Sequence, residues 1–243
     1  MSLSGTAALV TGAASGIGAA TVSIMRKQFD LVVAVDRDEQ SLRDRWTDQD
    51  GVLPWILDVT DEKAIGLLKE RLAADLQLRA VVNSAGIYRS GRLEEFPLDD
   101  LEAMWTINAK SAFLMSRIAA PCMKLGGSIV NISSVASQLS TETNWAYGTV
   151  KGAVNSLTRG MAVALAPSQI RVNAIAPGPI ETPMADVATS DPAYATKMYD
   201  RIPLQRPGTA LDVAELAGFL VSHASNWLTG QIICLDGGLT AVR

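Results

Sequence analysis

Histidine occurs once in this 243-residue chain and cysteine twice, and the scarcity removes whole classes of chemistry. A Ser-His-Asp triad would have to run through His223, in Leu220-Val221-Ser222-His223-Ala224-Ser225, which reads as a helix end with a surface imidazole. Cys122 and Cys234 lie far apart with no metal-ligand spacing around them, so no metal site is expected and each reads as an inert thiol. No apolar run approaches the roughly 20 residues of a membrane span. Nor is there a basic excess: a net charge of −4 leaves no electrostatic footprint for nucleic acid or an anionic membrane. Met1-Ser2-Leu3-Ser4-Gly5 runs straight into an apolar strand, without the basic segment and apolar core of a signal peptide. The expectation is a soluble, cytoplasmic protein whose acid–base chemistry uses groups other than histidine.

What is present is ordinary globular material, 48% hydrophobic and 19% charged, enough for one large domain spanning 1–243. Short runs rich in Val, Ile and Leu mark strands at Ala7–Val10, Leu31–Val35, Leu53–Leu57, Ala80–Val82, Ser128–Ile132, Ile170–Ile175 and Ile232–Leu235. Longer stretches with helical periodicity lie between most of them, among them Glu62–Leu76, Asp99–Lys124 and Tyr147–Ala166. Such alternation predicts an α/β fold: a Rossmann-like, doubly wound parallel sheet of about seven strands with helices on both faces. Pro177–Gly208 breaks the regularity, with six prolines and no period, and a substrate loop is expected around 182–209.

The first strand ends in Thr11-Gly12-Ala13-Ala14-Ser15-Gly16-Ile17-Gly18 and passes into a helical pattern. Glycines there permit a tight turn and close backbone approach to a pyrophosphate, which the helix N-terminus stabilises. The second strand ends at Asp36, eighteen residues past Gly18, where an acidic group accepts the adenosine ribose hydroxyls. Turn and acid together predict a dinucleotide site, and the carboxylate favours NAD over NADP. Arg37 complicates this, because a guanidinium there can pair with a phosphate or lie over adenine.

Tyr147 and Lys151 stand four residues apart in Trp145-Ala146-Tyr147-Gly148-Thr149-Val150-Lys151. On a helix that spacing puts phenol and ammonium on one face. A neighbouring cation favours the phenolate, so the phenol is expected to fall from its ordinary value of about 10. A tyrosine tuned in this way can exchange a proton with an alcohol oxygen.

With Gly12-x-x-x-Gly16-x-Gly18, Tyr147-x-x-x-Lys151, and Ser134 thirteen residues before the tyrosine, the chain resembles the short-chain dehydrogenases/reductases along essentially its whole length. Asp58-Val59, Asn83-Ser84-Ala85-Gly86, Asn108, Pro177-Gly178-Pro179-Ile180-Glu181-Thr182 and Asp236-Gly237-Gly238 follow in the family's order. Ser84 is a small departure, at a place where the family often has asparagine or alanine. The resemblance implies Tyr147 as acid–base residue, with Lys151 lowering its pKa and holding the nicotinamide ribose. Ser134 would orient the substrate oxygen, with Ser133 an adjacent competitor for that role. Asn108 would support a water linking Lys151 to solvent; otherwise it is a helix asparagine satisfied by backbone.

The same resemblance implies cofactor contacts from Gly12, Ser15, Gly16, Ile17 and Gly18 in the turn, and from Asp36 and Arg37. NADP-using relatives often carry a basic residue at the place of Ser15. Asp58 would accept the adenine amine while Val59 packs on the ring. Asn83, Ala85 and Gly86 would line the adenosine ribose side, and a bulkier residue at Gly86 would intrude. Pro177, Ile180 and Thr182 would fix the carboxamide end.

Substrate-pocket candidates are Tyr88, Arg89, Gln138, Trp145, Met184, Tyr194, Met198 and Tyr199. Arg89, in Ile87-Tyr88-Arg89-Ser90-Gly91, stands as an arginine does in the family's dihydroxybenzoate-forming dehydrogenases, where it could bind a carboxylate. The helices Asp99–Lys124 and Tyr147–Ala166 are apolar on more than one face, which calls for cover by another subunit. The family commonly forms tetramers, so a homo-oligomer is expected. The activity expected is NAD-dependent interconversion of a secondary alcohol and a ketone. Dehydrogenation of a cyclic diol, sugar or hydroxy acid, reduction of a 3-oxoacyl thioester, and non-catalytic dinucleotide sensing stand as alternatives.

Overall fold

Along Thr6–Thr11 the side chains turn alternately to two different cores, and that alternation organises the molecule. Ala7 and Leu9 join one apolar cluster while Ala8 and Val10 join another, all fully buried. A strand buried on both faces belongs inside a parallel sheet with helices above and below. The computed structural model describes residues 5–124, 126–188 and 199–241. Among these, β1 (Thr6–Thr11), β2 (Leu31–Asp36), β3 (Val52–Ile56), β4 (Gln77–Asn83), β5 (Gly127–Ile132), β6 (Ile170–Pro177) and β9 (Ile232–Leu235) form one sheet, ordered β3-β2-β1-β4-β5-β6-β9. Every pairing in it is parallel. The order reverses between β1 and β4, opening a crevice at the carboxyl ends of those strands.

Against one face lie α1 (Gly16–Met25), α2 (Glu39–Trp46) and α8 (Ala210–Val221), with Val22, Leu42, Val213 and Leu220 packed on Val32, Val130 and Ile175. Against the other lie α3 (Glu62–Asp75), α5 (Ser111–Ala119) and α6 (Trp145–Leu165), with Leu68, Leu72, Met115 and Ala162 on Leu9, Val33, Ile129 and Val172. Several helix starts are set by side chains that satisfy orphan amides. Asp61 accepts from the amides of Lys63 and Ala64 ahead of α3. Thr209 and Asp212 form a reciprocal capping box ahead of α8.

All seven expected strands are present. The expected helix Asp99–Lys124 is not continuous: α4 (Leu98–Met104) passes into a π-helical stretch, Trp105–Lys110, before α5. Widened turns of this type occur mostly at functional sites. Beyond α5 a 3-10 turn carries Pro121, whose missing N–H is harmless in a first turn. Within the irregular segment, β7 (Ile180–Glu181) pairs in parallel with β8 (Gly208–Thr209), and α7 (Pro183–Ala188) follows β7. The two ends of the segment are thus held side by side at one clasp, and Ile202 within it packs on Val135 and Leu239. No helix among the described residues is long and apolar enough to cross a membrane.

Candidate active site

A cleft of about 470 Å³ opens at the carboxyl ends of the strands, over the β1/β4 reversal. Its floor is the turn between β1 and α1, where Gly12 and Gly16 hold φ of 71° and 51°. L side chains rarely adopt that region, so glycine is required at both. A Cβ on Gly18 would run into the Gly12 carbonyl, so α1 can lie this close to the turn only without one. Thr11 Oγ1 accepts from the amides of Ser84 and Ala85, both at 3.1 Å, and ties the ends of β1 and β4 together.

Asp36 closes the far end of the cleft. Its carboxylate accepts from the Ala14 amide and the Asp38 amide, each at 3.0 Å, which fixes it against the glycine turn. Arg37 reaches 3.7 Å from Asp58. Burial alone would raise the Asp58 carboxyl, but bonds from the amide and hydroxyl of Thr60, with the Arg37 guanidinium, outweigh it and hold the group below the usual carboxylate range. Two bonds from α2 also support the turn: Trp46 Nε1 donates to the Ala13 carbonyl at 2.9 Å and Arg45 Nε to the Ala14 carbonyl at 3.2 Å.

These residues fit a dinucleotide. Gly12, Gly16 and Gly18 present bare backbone in a turn that leads straight into the N-terminus of α1, which suits a pyrophosphate. Gly12, Ser15, Gly16, Ile17, Gly18, Asp36, Arg37, Asp58, Val59, Ala85, Gly86, Pro177, Ile180 and Thr182, the residues the sequence assigns to the cofactor, all line the cleft. Asn83 does not. Its side chain is buried, with Nδ2 donating to Asn131 Oδ1 at 2.8 Å and to Ser116 Oγ at 3.1 Å, while Asn131 in turn donates to Thr158. Asn83 therefore joins β4 to β5 and α5 and does not present a side chain to the ribose. Gly86 has a second constraint as well: a Cβ there would stand 2.9 Å from Asn108 Oδ1. Ala14, Ile107 and Ile132 also line the cleft and were not foreseen, since an apolar residue beside a motif carries no signal in the sequence.

At the other end of the cleft, α6 presents Tyr147 and Lys151 toward Ser134, which follows β5. Lys151 Nζ sits 5.6 Å from the Tyr147 ring centroid and donates to the Ile132 carbonyl at 2.8 Å. The expectation that the cation pulls the phenol down is corrected by its surroundings. Burial drives Tyr147 well above the ordinary phenol range, the neighbouring Tyr88 pushes the same way, and only the hydrogen bond with Ser134 opposes. Burial likewise lowers Lys151 to about 8. A low-dielectric pocket disfavours both charged forms at once.

Ser134 Oγ accepts from the Ala136 amide at 3.1 Å. Asn108, in the π-helical stretch, spends its whole amide on the Ile87 backbone, accepting from N at 2.7 Å and donating to O at 2.9 Å. That holds the Gly86–Ile87 segment beside Lys151.

Among the substrate candidates, Tyr88, Met184 and Tyr199 line the cleft, and Tyr88 meets Tyr147 edge to face at 5.1 Å. The other candidates are engaged elsewhere. Arg89 pairs with Asp100 at 3.4 Å and donates to the Tyr88 carbonyl. Gln138 is exposed and lies 3.4 Å from Cys234 Sγ. Trp145 bonds the Gly91 carbonyl and packs on Phe96. Tyr194 and Met198 lie outside the described residues.

Known proteins resemble this chain along its length. A family described as enoyl-(acyl carrier protein) reductase matches residues 12–240. The 3-oxoacyl-acyl-carrier-protein reductase of Thermotoga maritima is 37% identical over 98% of this chain and 99% of its own. The L-xylulose reductase of Mus musculus is 35% identical over 99% of each. A gluconate 5-dehydrogenase of Burkholderia cenocepacia, solved with NADP and tartrate, superposes with a TM-score of 0.92 at 31% identity, over 99% of this chain and 97% of that one. The parallel seven-stranded sheet agrees with these matches, and the chain belongs to the short-chain dehydrogenase/reductase family of oxidoreductases.

Proposed function

We propose that the protein interconverts a secondary alcohol and a ketone and that it prefers NAD. The convergence of Ser134, Tyr147 and Lys151 on one cleft with the glycine turn carries this reading. Gly12, Gly16 and Gly18 with the α1 N-terminus would hold the pyrophosphate, Asp36 the adenosine ribose, and Lys151 the nicotinamide ribose. A nicotinamide dinucleotide, when bound, supplies the hydride acceptor or donor. Tyr147 moves the proton at its phenol oxygen, accepting it from the alcohol in oxidation and returning it to the ketone oxygen in reduction. Ser134 holds the reacting oxygen beside that phenol. Lys151 stabilises the phenolate while charge develops on it, and Asn108, its amide committed to Ile87, holds the Gly86–Ile87 segment beside Lys151.

The NAD preference rests on Asp36, which is fixed toward the turn and would repel a 2′-phosphate. The Arg37–Asp58 pair supports it further, because that guanidinium already has a carboxylate to answer. The NADP bound to the Burkholderia gluconate 5-dehydrogenase favours a rival assignment for relatives of this shape. Reduction of 3-oxoacyl thioesters, as the name of the Thermotoga relative suggests, is the second reading of the substrate. A panel of secondary alcohols, cyclic diols, sugars and hydroxy acids with NAD and NADP, beside a 3-oxoacyl thioester with NADH and NADPH, separates them. Turnover of an alcohol with kcat/KM at least about tenfold higher for NAD, a difference of about 1.4 kcal/mol, is the expected result. Equal use of NADP, or activity on the thioester alone, overturns it, and binding without any turnover points to a dinucleotide sensor.

A further inference from the structure

Tyr147, Lys151 and Asn155 follow at intervals of four along α6, which aligns them on one side of the helix. Asn155 is not among the residues lining the cleft and is only 7% exposed, lying among Val150, Val154 and Thr158 on the buried side of α6. Both ends of its amide are used. Oδ1 accepts from Ser133 Oγ at 2.6 Å and Nδ2 donates to Ser137 Oγ at 2.8 Å. Ser133 Oγ also reaches the Lys151 carbonyl at 3.2 Å, and Ser137 Oγ donates to the Ser134 carbonyl at 2.6 Å. One side chain thereby grips the residue before Ser134, the residue three after it, and, through Ser133, the backbone of Lys151. Ser133, the sequence rival of Ser134, is 2% exposed and is consumed by this network.

We infer that Asn155 is a positioning residue: its amide clamps the turn that carries Ser134 onto the helix that carries Tyr147 and Lys151, and so sets the distance between the oxygen-orienting hydroxyl and the proton-transferring phenol. An apolar residue would fill this buried place without the cost of desolvating an amide. What the amide adds is register between two elements that no backbone ladder joins here. Small errors in that register are costly, since a misplacement of about 1 Å can lower a rate by about 10². The inference rests on the proposed catalytic role of Ser134 and Tyr147.

A double-mutant cycle tests it, read with NADH and the ketone that corresponds to the most active alcohol of the panel above. Asn155→Ala should lower kcat about 10–100-fold while the NADH dissociation constant, followed by fluorescence, stays within about twofold of the parent. In a Ser134→Ala background the same substitution should cost less than about threefold, because the group it positions is gone. Ser137→Ala, which cuts one link and leaves Asn155 in place, should repeat the pattern more weakly and carries the test alone if Asn155→Ala does not fold. Unchanged kcat in the foldable variant, or an equal loss in both backgrounds, overturns the inference, the second outcome meaning general softening of the core. Full turnover in Ser134→Ala and Tyr147→Phe would instead remove the catalytic reading, a different failure with its own signature. A panel without turnover removes both.

Discussion

Lys151 is a cation in surroundings that disfavour cations, and Tyr147 an acid in surroundings that disfavour its anion. Two such groups this close titrate as a pair. One proton leaves the pair near pH 8, where burial has put Lys151, and the proton that remains is shared between amine and phenol; the form with Lys151 charged and Tyr147 as phenolate is the one that accepts a proton from an alcohol. Since kcat/KM reports the free enzyme, it should rise with pH through about 8 for alcohol oxidation and fall through the same region for ketone reduction. Profiles measured between about pH 6 and 10 that are flat in both directions, with chemistry rate-limiting, would count against the pair. Tyr147→Phe removes the transferable proton but leaves the glycine turn and Asp36 untouched. It should reduce kcat by about 10²–10⁴ with cofactor affinity nearly unchanged; a variant keeping half of parental turnover would exclude Tyr147 as the acid–base group. Reading the spacing of Tyr147 and Lys151 as a lowered phenol failed for a definite reason. Spacing shows that a cation is near, but only the structure shows how fully Lys151 is buried and how Tyr88 stands against the phenol.

At the level of elements, the junction of β1 and α1 is the most tightly specified part of the site. A methyl group on Gly18 meets backbone, not a side chain that could swing away, so relief requires lifting α1 off the turn. Gly18→Ala should therefore lower the melting temperature by several degrees and weaken NAD binding at least about tenfold, a loss of about 1.4 kcal/mol. Gly66→Ala in α3 is the control: a Cβ there meets nothing within 4 Å, and the higher helix propensity of alanine should stabilise by about 0.5–1 kcal/mol. Thermal melts and cofactor titrations of the two variants decide it; similar behaviour would mean that the turn tolerates more than its geometry says. Legibility follows the same division. The glycine turn, Asp36, and Tyr147 with Lys151 were readable because each pattern is short and its partners are neighbours in sequence. Arg89 with Asp100, Arg37 with Asp58, and Asn83 with Asn131 were not, because each pairing depends on how separate elements come to lie side by side. The π-helical stretch was hidden for another reason, since Asp99–Lys124 keeps enough apolar residues to pass as one continuous helix.

For the whole molecule, the apolar residues left over from the two cores need an account. Val163 on α6 is 79% exposed, and Phe113 on α5 and Trp105 at the π-helical stretch are 43% and 51% exposed. They belong to the two helical regions whose apolar character exceeded what one sheet face can cover. A homotetramer that buries them is the assembly proposed for this chain. Light scattering should give about four times the 25.8 kDa chain mass, and Val163→Glu, which places a charge where a partner would sit, should shift the population to smaller species. A wild-type monomer at micromolar concentration would rule the assembly out. The clasp of β7 and β8 bears on the molecule in a different way. Ile180 pairs with Gly208 and Glu181 with Thr209, so the two ends of the intervening chain are stapled together next to the reacting groups. The entropy of closing that excursion is settled at the clasp, and further lengthening adds only logarithmically to it. Changes of composition in that stretch can recast which molecules the cleft admits, provided that Thr182 keeps its place on the cleft and Ile202 its packing on Val135, the residue that follows Ser134.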